Sequence, residues 1–245
     1  MNTPIIIGFI PARYASTRLP GKALADIAGL PMVVRTLQGA SQAKTLTRCI
    51  VLTDDQRIFD AVTEHGGEAL MTPESCRNGT ERIADALDQI PCDIAVNIQG
   101  DEPEITGDYV DRAVAPLLED DTIDIATLVC PVKDEDELYD VSANKVVLDM
   151  NDFAMYFSRS TIPYPCHTDF SNGGYEKWWK HIGLYVYKSE VVKALMKTEP
   201  TFLETAEKLE QLRMLEMGYR IKVVKVKEAL IGVDTPEDLE QIRNH

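Results

Sequence analysis

Gly8-Phe9-Ile10-Pro11-Ala12-Arg13-Tyr14-Ala15-Ser16-Thr17-Arg18-Leu19-Pro20-Gly21-Lys22 is the most informative segment of this chain. The apolar run from Ile5 to Ile10 predicts a first strand that is buried in a sheet. The loop that follows holds two arginines and a lysine among small residues, proline and glycine. Backbone N–H groups and three cations at the end of a buried strand suit a bound polyphosphate. The stretch therefore predicts a phosphate site at the end of the first strand.

Two common phosphate-binding motifs do not fit this loop. A Walker A motif needs glycine where Ser16 stands and a hydroxyl residue where Ala23 follows Lys22. The spacing G-x-G-x-x-G is also missing, which disfavours an ordinary dinucleotide fold. A solvated, arginine-rich surface loop would explain the charges, but not their position directly after a core strand.

Composition limits the classes of function. The 245 residues carry 25 Lys and Arg against 40 Asp and Glu, a formal net charge of −15. So acidic a chain is not expected to bind nucleic acid or an anionic membrane surface. Because the chain repels anions at long range, a phosphate ligand would need local cations and a divalent metal. No segment has the length of a membrane span. The five cysteines are scattered and odd in number, which predicts a reduced protein of the cytoplasm.

Apolar runs alternate with helical periodicity as far as about Cys130. The predicted helices include Pro31 to Lys44 and one that stops at Gly66-Gly67, and the predicted strands include Cys49 to Leu52, Glu68 to Met71 and Ile94 to Ile98. This alternation predicts an α/β fold with a doubly wound, mainly parallel sheet.

After about Cys130 the pattern changes. A hairpin is predicted around Met150-Asn151-Asp152, followed by a polar stretch from Thr161 to Gly174 and a strand from Ile182 to Tyr187. We interpret this part as a smaller antiparallel annex. The chain then returns to helix, to a strand from Ile221 to Val226 and to a closing helix that begins at Thr235.

Two aspartates lie at separate predicted strand ends. Asp101 follows the strand Ile94 to Ile98, and Asp234 precedes Thr235-Pro236-Glu237-Asp238, which has the pattern of a helix start. Taken singly, Asp101 is as readily a turn residue and Asp234 an extra acid at a helix start. Ligands of open α/β sheets bind beyond the carboxyl ends of the strands. Together the two carboxylates therefore suit a Mg²⁺ ion shared with substrate phosphates.

Asn78-Gly79-Thr80 opens another predicted helix, with Glu81 three residues after the capping asparagine. Free backbone N–H groups and a glycine at a helix start can serve an anion or the edge of a base. An ordinary capped helix explains the same residues equally well.

A third polar set lies in and after the annex. Arg159 ends a predicted strand, His181 and Tyr185 share one strand face, and Glu210 and Gln211 lie off the apolar stripe of a helix. A guanidinium for a carboxylate, with hydroxyl-binding groups around it, suits a polyhydroxy acid. A lone histidine such as His181 is more often structural. No Ser/His/Asp or Cys/His signature is apparent in the sequence.

Six motifs, in order along the chain, resemble the 3-deoxy-manno-octulosonate (Kdo) cytidylyltransferase family. They are Ile10-Pro-Ala-Arg-Tyr-Ala-Ser-Thr-Arg-Leu-Pro-Gly-Lys22, Asn78-Gly-Thr-Glu-Arg82, Asn97-Ile-Gln-Gly-Asp-Glu-Pro103, Tyr156-Phe-Ser-Arg159, Leu209-Glu-Gln-Leu-Arg213 and Gly232-Val-Asp-Thr-Pro-Glu-Asp-Leu239. The resemblance covers essentially the whole length. It implies a Rossmann-like nucleotidyltransferase fold of the nucleotide-diphospho-sugar transferase type. It also implies one domain over residues 1–245, with a dimerising antiparallel insertion at about 130–188.

The resemblance also implies an activity and a site. The activity is Mg²⁺-dependent transfer of CMP from CTP to the anomeric hydroxyl of a Kdo-type sugar acid, with release of pyrophosphate, for lipopolysaccharide synthesis by a homodimer. The implied residues are Pro11, Ala12, Arg13, Lys22, Asn78, Gly79, Thr80 and Gln99 for the nucleotide, Asp101 and Asp234 for Mg²⁺, and Arg159, His181, Tyr185, Glu210 and Gln211 for the sugar acid. Arg13, Lys22, Asp101 and Asp234 form the implied catalytic set. Asn78 stands where many members have serine.

Two other functions stay open at this point. A sister nucleotidyltransferase for another sugar acid or a sugar phosphate would share the first loop and both aspartates. A non-catalytic nucleotide-binding protein on the same fold would lack a metal carboxylate or the lysine, and this chain has all three. The pair Trp178-Trp179 in a polar stretch is compatible with an exposed lid or with a partner surface.

Overall fold

The structure is a computed structural model, and it describes residues 3–15, 19–166, 170 and 173–244. The predicted contribution of Arg18 to the phosphate loop lies outside the described residues. The chain divides into two compact units. Unit 1 comprises Met1–Val114, Leu184–Met196 and Leu230–His245, and unit 2 comprises Ala115–Gly183 and Lys197–Ala229.

Unit 1 is built on a mainly parallel sheet. Its strands are β1 (Ile6–Ala12), β2 (Asp26–Ile27), β3 (Leu30–Pro31), β4 (Arg48–Thr53), β5 (Glu68–Met71) and β6 (Ile94–Asn97). Its helices before the boundary are α1 (Met32–Ala40), α2 (Gln56–Glu64) and α3 (Gly79–Gln89), and α4 (Gly107–Glu119) runs across that boundary. The small pair β2–β3 is antiparallel.

The order of strands places a topological switch at β1. Strand β4 pairs with β1 in parallel on one side, β6 pairs with it in parallel on the other, and β5 pairs with β4. Phe9 and Ile10 are fully buried because β1 is covered on both faces. A crevice opens beyond the carboxyl ends of strands where the order reverses. The first loop follows β1 directly, so the fold delivers it to such a crevice.

Local signals set the helix starts of unit 1 as the sequence predicts. The Asn78 side chain accepts a hydrogen bond from the Glu81 N–H, which confirms the predicted cap of α3. Unit 1 also contains α6 (Ser189–Leu195) and the last helix, α9 (Pro236–Arg243), which follows the elements of unit 2. Helix α9 begins with a full capping box between Thr235 and Asp238. These caps hold the two loops before α3 and α9 in defined conformations.

Unit 2 contains the predicted antiparallel annex. Its elements are β7 (Ile125–Pro131), α5 (Glu135–Tyr139), β8 (Lys145–Leu148), β9 (Ala154–Ser158), α7 (Phe202–Glu207), α8 (Gln211–Glu216) and β11 (Ile221–Lys225). The chain then returns to unit 1 and forms α9. Strands β8 and β9 pair antiparallel, which confirms the hairpin at Met150-Asn151-Asp152. Strand β11 pairs with β7 in parallel. The predicted insertion at about 130–188 falls largely within unit 2, which also includes residues 197–229.

Strand β10 (Trp179–Lys188) begins in unit 2 and ends in unit 1. It starts earlier than the predicted Ile182 because Trp179 and Lys180 pair with β8. Its later residues pair antiparallel with β6 in unit 1. Long-range pairing of this kind leaves no local sequence signal.

The tryptophan pair contains a core residue. Trp178 is buried with Val132 and Leu138, and its indole N–H donates to the Pro163 carbonyl at 2.8 Å. Neither predicted role, a lid or a partner surface, fits the buried Trp178. None of the helices in the described part of the chain is long and apolar enough to cross a membrane.

Candidate active site

A cavity of about 350 Å³ opens in unit 1 at the carboxyl ends of β1 and β6. This is the crevice that the strand order predicts, and its size is that of ordinary small-molecule sites. The structure brings together nine of the predicted residues in its lining, namely Pro11, Ala12, Arg13, Lys22, Asn78, Gly79, Gln99, Asp101 and Asp234. Thr80, the remaining predicted nucleotide residue, is buried in the first turn of α3.

Lys22 joins the two predicted metal ligands. Its ammonium group donates to Asp101 Oδ2 at 2.6 Å and to Asp234 Oδ1 at 2.9 Å. The Lys22 side chain is 16% exposed, and the two carboxylates are 30% and 43% exposed. Burial lowers the pKa of Lys22, but the hydrogen bonds and charges of the two aspartates outweigh it, so the pKa is raised. Two carboxylates 133 positions apart thus converge on one cation at the cavity wall.

The backbone holds these three side chains in place. Gly21 adopts φ 70°, a left-handed conformation that glycine takes without strain, and a short 3₁₀ turn starts at Lys22. The Val233 N–H donates to the Asp101 carbonyl at 2.9 Å, which ties the chain before Asp234 to the loop after β6. The Asp234 N–H donates to Asp238 Oδ2 in the first turn of α9.

The start of α3 also forms part of the cavity wall. Gly79 packs so closely on β1 that a Cβ at this position would lie 3.1 Å from Pro11 Cγ. The Asn78 oxygen is engaged by the Glu81 N–H, so its role in the free protein is that of a helix cap. The N–H groups of Gly79 and Thr80 belong to the first turn, which has no intrahelical acceptors, so they can donate to an anion.

Arg82 is a lining residue that the sequence reasoning did not assign. Its guanidinium is buried, pairs with Asp54 Oδ2 at 2.7 Å and donates to Thr72 Oγ1. It therefore fixes α3 to the ends of β4 and β5. The signal in the sequence was Asp54, a carboxylate directly after a buried strand.

Glu102 follows Asp101 in sequence, but its carboxyl group adds little negative charge to the site at neutral pH. Its Oε2 is buried and has no hydrogen-bond partner among the described residues. Burial, followed by the negative charge of Asp101, raises the pKa of Glu102 to about 8. Glu102 is therefore mostly protonated at neutral pH, and the negative charge at this edge comes from Asp101 and Asp234.

The predicted sugar-acid residues lie in unit 2, except Tyr185, which lies in unit 1. Arg159 follows β9, and its guanidinium donates to the carbonyls of Glu207, Val141 and Lys208. Glu210 precedes α8, whose first residue, Gln211, is buried. The structure therefore brings the end of β9 to the segment just before Glu210.

His181 is held as a neutral group. Its Nε2 lies 2.9 Å from Thr127 Oγ1, and its ring packs edge-on against Phe157 of β9. Burial lowers the pKa of His181 to about 3. The side chain can therefore exchange hydrogen bonds with a ligand but brings no positive charge to it at neutral pH.

Among the described residues, no group of three or more His, Cys, Asp or Glu side chains could hold a metal ion. A site for Mg²⁺ in this part of the chain would rest on the pair Asp101 and Asp234. That pair fits the ion, because Mg²⁺ commonly takes one or two carboxylates and completes its shell with water and substrate phosphates.

Comparison with known proteins finds relatives that match nearly all of this chain. A family model described as cytidylyltransferase matches residues 7–223. The 3-deoxy-manno-octulosonate cytidylyltransferase of Chlorobium chlorochromatii is 45% identical over 245 residues, covering 99% of this chain and 96% of the relative. The protein of the same name from Bdellovibrio bacteriovorus is 43% identical over 237 residues, covering 97% and 96%.

Solved structures give the same fold. A CMP:2-keto-3-deoxy-manno-octonic acid synthetase, solved with CTP, superposes with a TM-score of 0.90 at 37% identity, covering 98% of this chain and 97% of that one. A 4-diphosphocytidyl-2C-methyl-D-erythritol synthase from Anaerococcus prevotii superposes with a TM-score of 0.66 at 13% identity, covering 99% and 98%. The second likeness concerns the fold alone.

Proposed function

Because the chain belongs to the 3-deoxy-manno-octulosonate cytidylyltransferase family, and is thus a nucleotidyltransferase, we propose that it transfers CMP from CTP to Kdo. The anomeric hydroxyl of the sugar acid attacks the α-phosphorus of CTP, and pyrophosphate leaves. The observation that carries the proposal is the convergence of Lys22, Asp101 and Asp234 at the end of the first strand. The product belongs to lipopolysaccharide synthesis.

Asp101 and Asp234 are the proposed ligands of a Mg²⁺ ion bound together with the triphosphate. The ion would supply positive charge and act as a template for the phosphate oxygens. The convergence of both carboxylates on one ammonium group supports this assignment, since they already share one cation. A chain of net charge −15 needs such local cations to accept CTP.

The chain's own cations do the remaining electrostatic work. Lys22 reaches the wall of the cavity, and the exposed Arg13 lines it after β1. The first-turn N–H groups of α3, which also lines the cavity, add partial positive charge. Phosphoryl transfer needs positioning and charge neutralisation more than covalent help from the protein. These groups hold the triphosphate so that its α-phosphorus can be attacked in line.

The sugar acid is proposed to bind through Arg159, His181, Tyr185, Glu210 and Gln211. Three of the five N–H donors of Arg159 bind backbone carbonyls, which leaves two for a carboxylate. Neutral His181 suits hydroxyl groups, because its lowered pKa removes its charge.

We also propose that the protein is a homodimer of the cytoplasm. Unit 2 carries exposed apolar side chains, among them Val141, Met155 and Tyr164, which support an interface on this unit. All five cysteines are free thiols, which suits a reducing compartment where CTP is available. Light scattering of the purified protein tests the dimer.

A pyrophosphate-release assay tests the activity. The purified protein is incubated with Mg²⁺, with CTP or UTP, and with Kdo or sialic acid, and the sugar nucleotide is identified by mass spectrometry. We expect pyrophosphate and CMP-Kdo in equal amounts from CTP and Kdo. Turnover only with another nucleotide or another sugar acid would assign the chain to a sister activity. CTP binding with no turnover on any acceptor would indicate a binding protein.

A further inference from the structure

Asn97 is a buried amide in the sheet of unit 1, two residues before the cavity-lining Gln99. It is the last residue of β6, is 5% exposed, and pairs with Phe9 of β1 and with Tyr185 of β10. The next residue, Ile98, points to the other face, where its Cδ1 would lie 3.2 Å from a Cβ on Gly8. Asn97 therefore shares the face of the sheet that α3 covers.

The amide of Asn97 lies close to two residues that line the cavity. A Cβ built on Gly79 would lie 3.9 Å from Asn97 Nδ2 and 3.1 Å from Pro11 Cγ. Gly79 and Pro11 both line the cavity. The carboxamide thus lies behind the point where the first turn of α3 meets the end of β1.

The Oδ1 atom of Asn97 is buried and has no hydrogen-bond partner in the described part of the chain. An unsatisfied buried acceptor destabilises a protein, and an apolar side chain of similar shape would avoid that cost. Such a group in a native structure calls for an explanation. A ligand that donates a hydrogen bond from the cavity supplies one.

We propose that Asn97 is a specificity-determining residue whose Oδ1 accepts a hydrogen bond from a sugar hydroxyl of a bound substrate. The inference rests on the proposed function, in which both substrates carry such groups: the ribose of CTP and the ring of the sugar acid. A site that hydrogen-bonds a substrate hydroxyl rejects an analogue without it, because its buried polar group then stays unpaired.

The variant Asn97→Leu tests this inference, since leucine has a similar volume and no acceptor. We expect a melting temperature equal to or above that of the wild type. We also expect about a tenfold higher KM for the substrate that donates the hydrogen bond, with a smaller change in kcat. If the leucine variant does not fold, Asn97→Ala carries the same comparison.

Deoxy analogues identify the hydroxyl. The wild type should lose about tenfold in kcat/KM with either 2′-deoxy-CTP or 3′-deoxy-CTP, or with a sugar acid that lacks one ring hydroxyl. The leucine variant should have the same kcat/KM for that analogue as for the parent substrate. The ribose arm and the sugar-acid arm thus separate the two sources of the donor.

Two results would overturn the inference. One is a leucine variant that discriminates against every deoxy analogue as strongly as the wild type does. The other is a variant with a lower melting temperature and lower kcat but unchanged KM values, which would make Asn97 structural. A wild type that forms no sugar nucleotide would refute the proposed function instead. Calorimetric titration with CTP and its deoxy forms would then still test the ribose arm.

Discussion

Replacing Lys22 by methionine should destabilise the free protein and create a site that binds Mg²⁺ without nucleotide. Methionine keeps most of the apolar stem but removes the charge that joins Asp101 and Asp234. The two carboxylates then face each other without a cation, and a divalent ion can take the position of the ammonium group. In the wild type, Lys22 competes with the ion for the same oxygens.

The partial exposure of the three side chains sets the size of the effect. Ion pairs with this degree of solvent access contribute about 0.5–1 kcal/mol each, so losing both costs about 1–2 kcal/mol. For a chain of this length, 1 kcal/mol shifts the melting temperature by about 2–4 °C. The variant should therefore melt about 2–8 °C below the wild type. Mg²⁺ at ten times its dissociation constant would restore about 1.4 kcal/mol.

Thermal unfolding with and without millimolar Mg²⁺, in the absence of CTP, measures both effects. The exposed Lys193→Met of α6 is the control for loss of one positive charge. We expect Mg²⁺ to raise the melting temperature of Lys22→Met and to leave the wild type and Lys193→Met almost unchanged. Equal Mg²⁺ responses in all three proteins would refute the competition between Lys22 and the ion.

Three further predictions concern separate parts of the chain. Asp101→Asn should lower kcat by about 10²-fold or more while the protein stays folded, as measured by pyrophosphate release and circular dichroism. Gly39→Ala should destabilise the protein by about 1–3 kcal/mol in urea unfolding despite alanine's higher helix propensity, because the new Cβ would lie 2.0 Å from the Ile105 carbonyl oxygen. His181→Asn should make the free energy of unfolding fall less steeply as the pH drops below 6.5. The buried ring, with its pKa lowered to about 3, stays neutral while the unfolded chain takes up a proton, at about 1.4 kcal/mol per pH unit.

Each of these predictions has a contradicting outcome. Wild-type turnover by Asp101→Asn would remove this carboxylate from the reaction. The control Gly232→Ala should change stability by less than about 0.5 kcal/mol, since a Cβ there meets nothing within 4 Å. A Gly39→Ala variant as stable as this control would contradict the packing argument. Parallel stability curves for wild type and His181→Asn between pH 7 and pH 4 would contradict the assigned titration.

Sequence predicted the parts of the fold that local signals specify. The cap of α3 at Asn78 and the capping box at Thr235 each depend on residues three positions apart, and both were predicted correctly. The hairpin of β8 and β9 follows from a turn signal between two apolar runs. The early start of β10 at Trp179 was missed, because it depends on pairing with β8.

The candidate site was predicted in its residue types but not in its contacts. Strand ends indicated Asp101 and Asp234, yet no local pattern shows that Lys22 joins them across 212 positions of sequence. The buried link from Arg82 to Asp54 depends on how α3 docks on the sheet. No pattern in the sequence singles out Asn97, because the missing hydrogen-bond partner of its Oδ1 atom, among the described residues, is a feature of the folded chain.

A crystal structure with CTP and Mn²⁺ in place of Mg²⁺ tests the shared cation site most directly. We expect an anomalous difference peak bound by carboxylate oxygens of both Asp101 and Asp234, with the Lys22 ammonium group moved onto a phosphate oxygen. A peak that neither aspartate contacts, with Lys22 still bridging the two carboxylates, would contradict it.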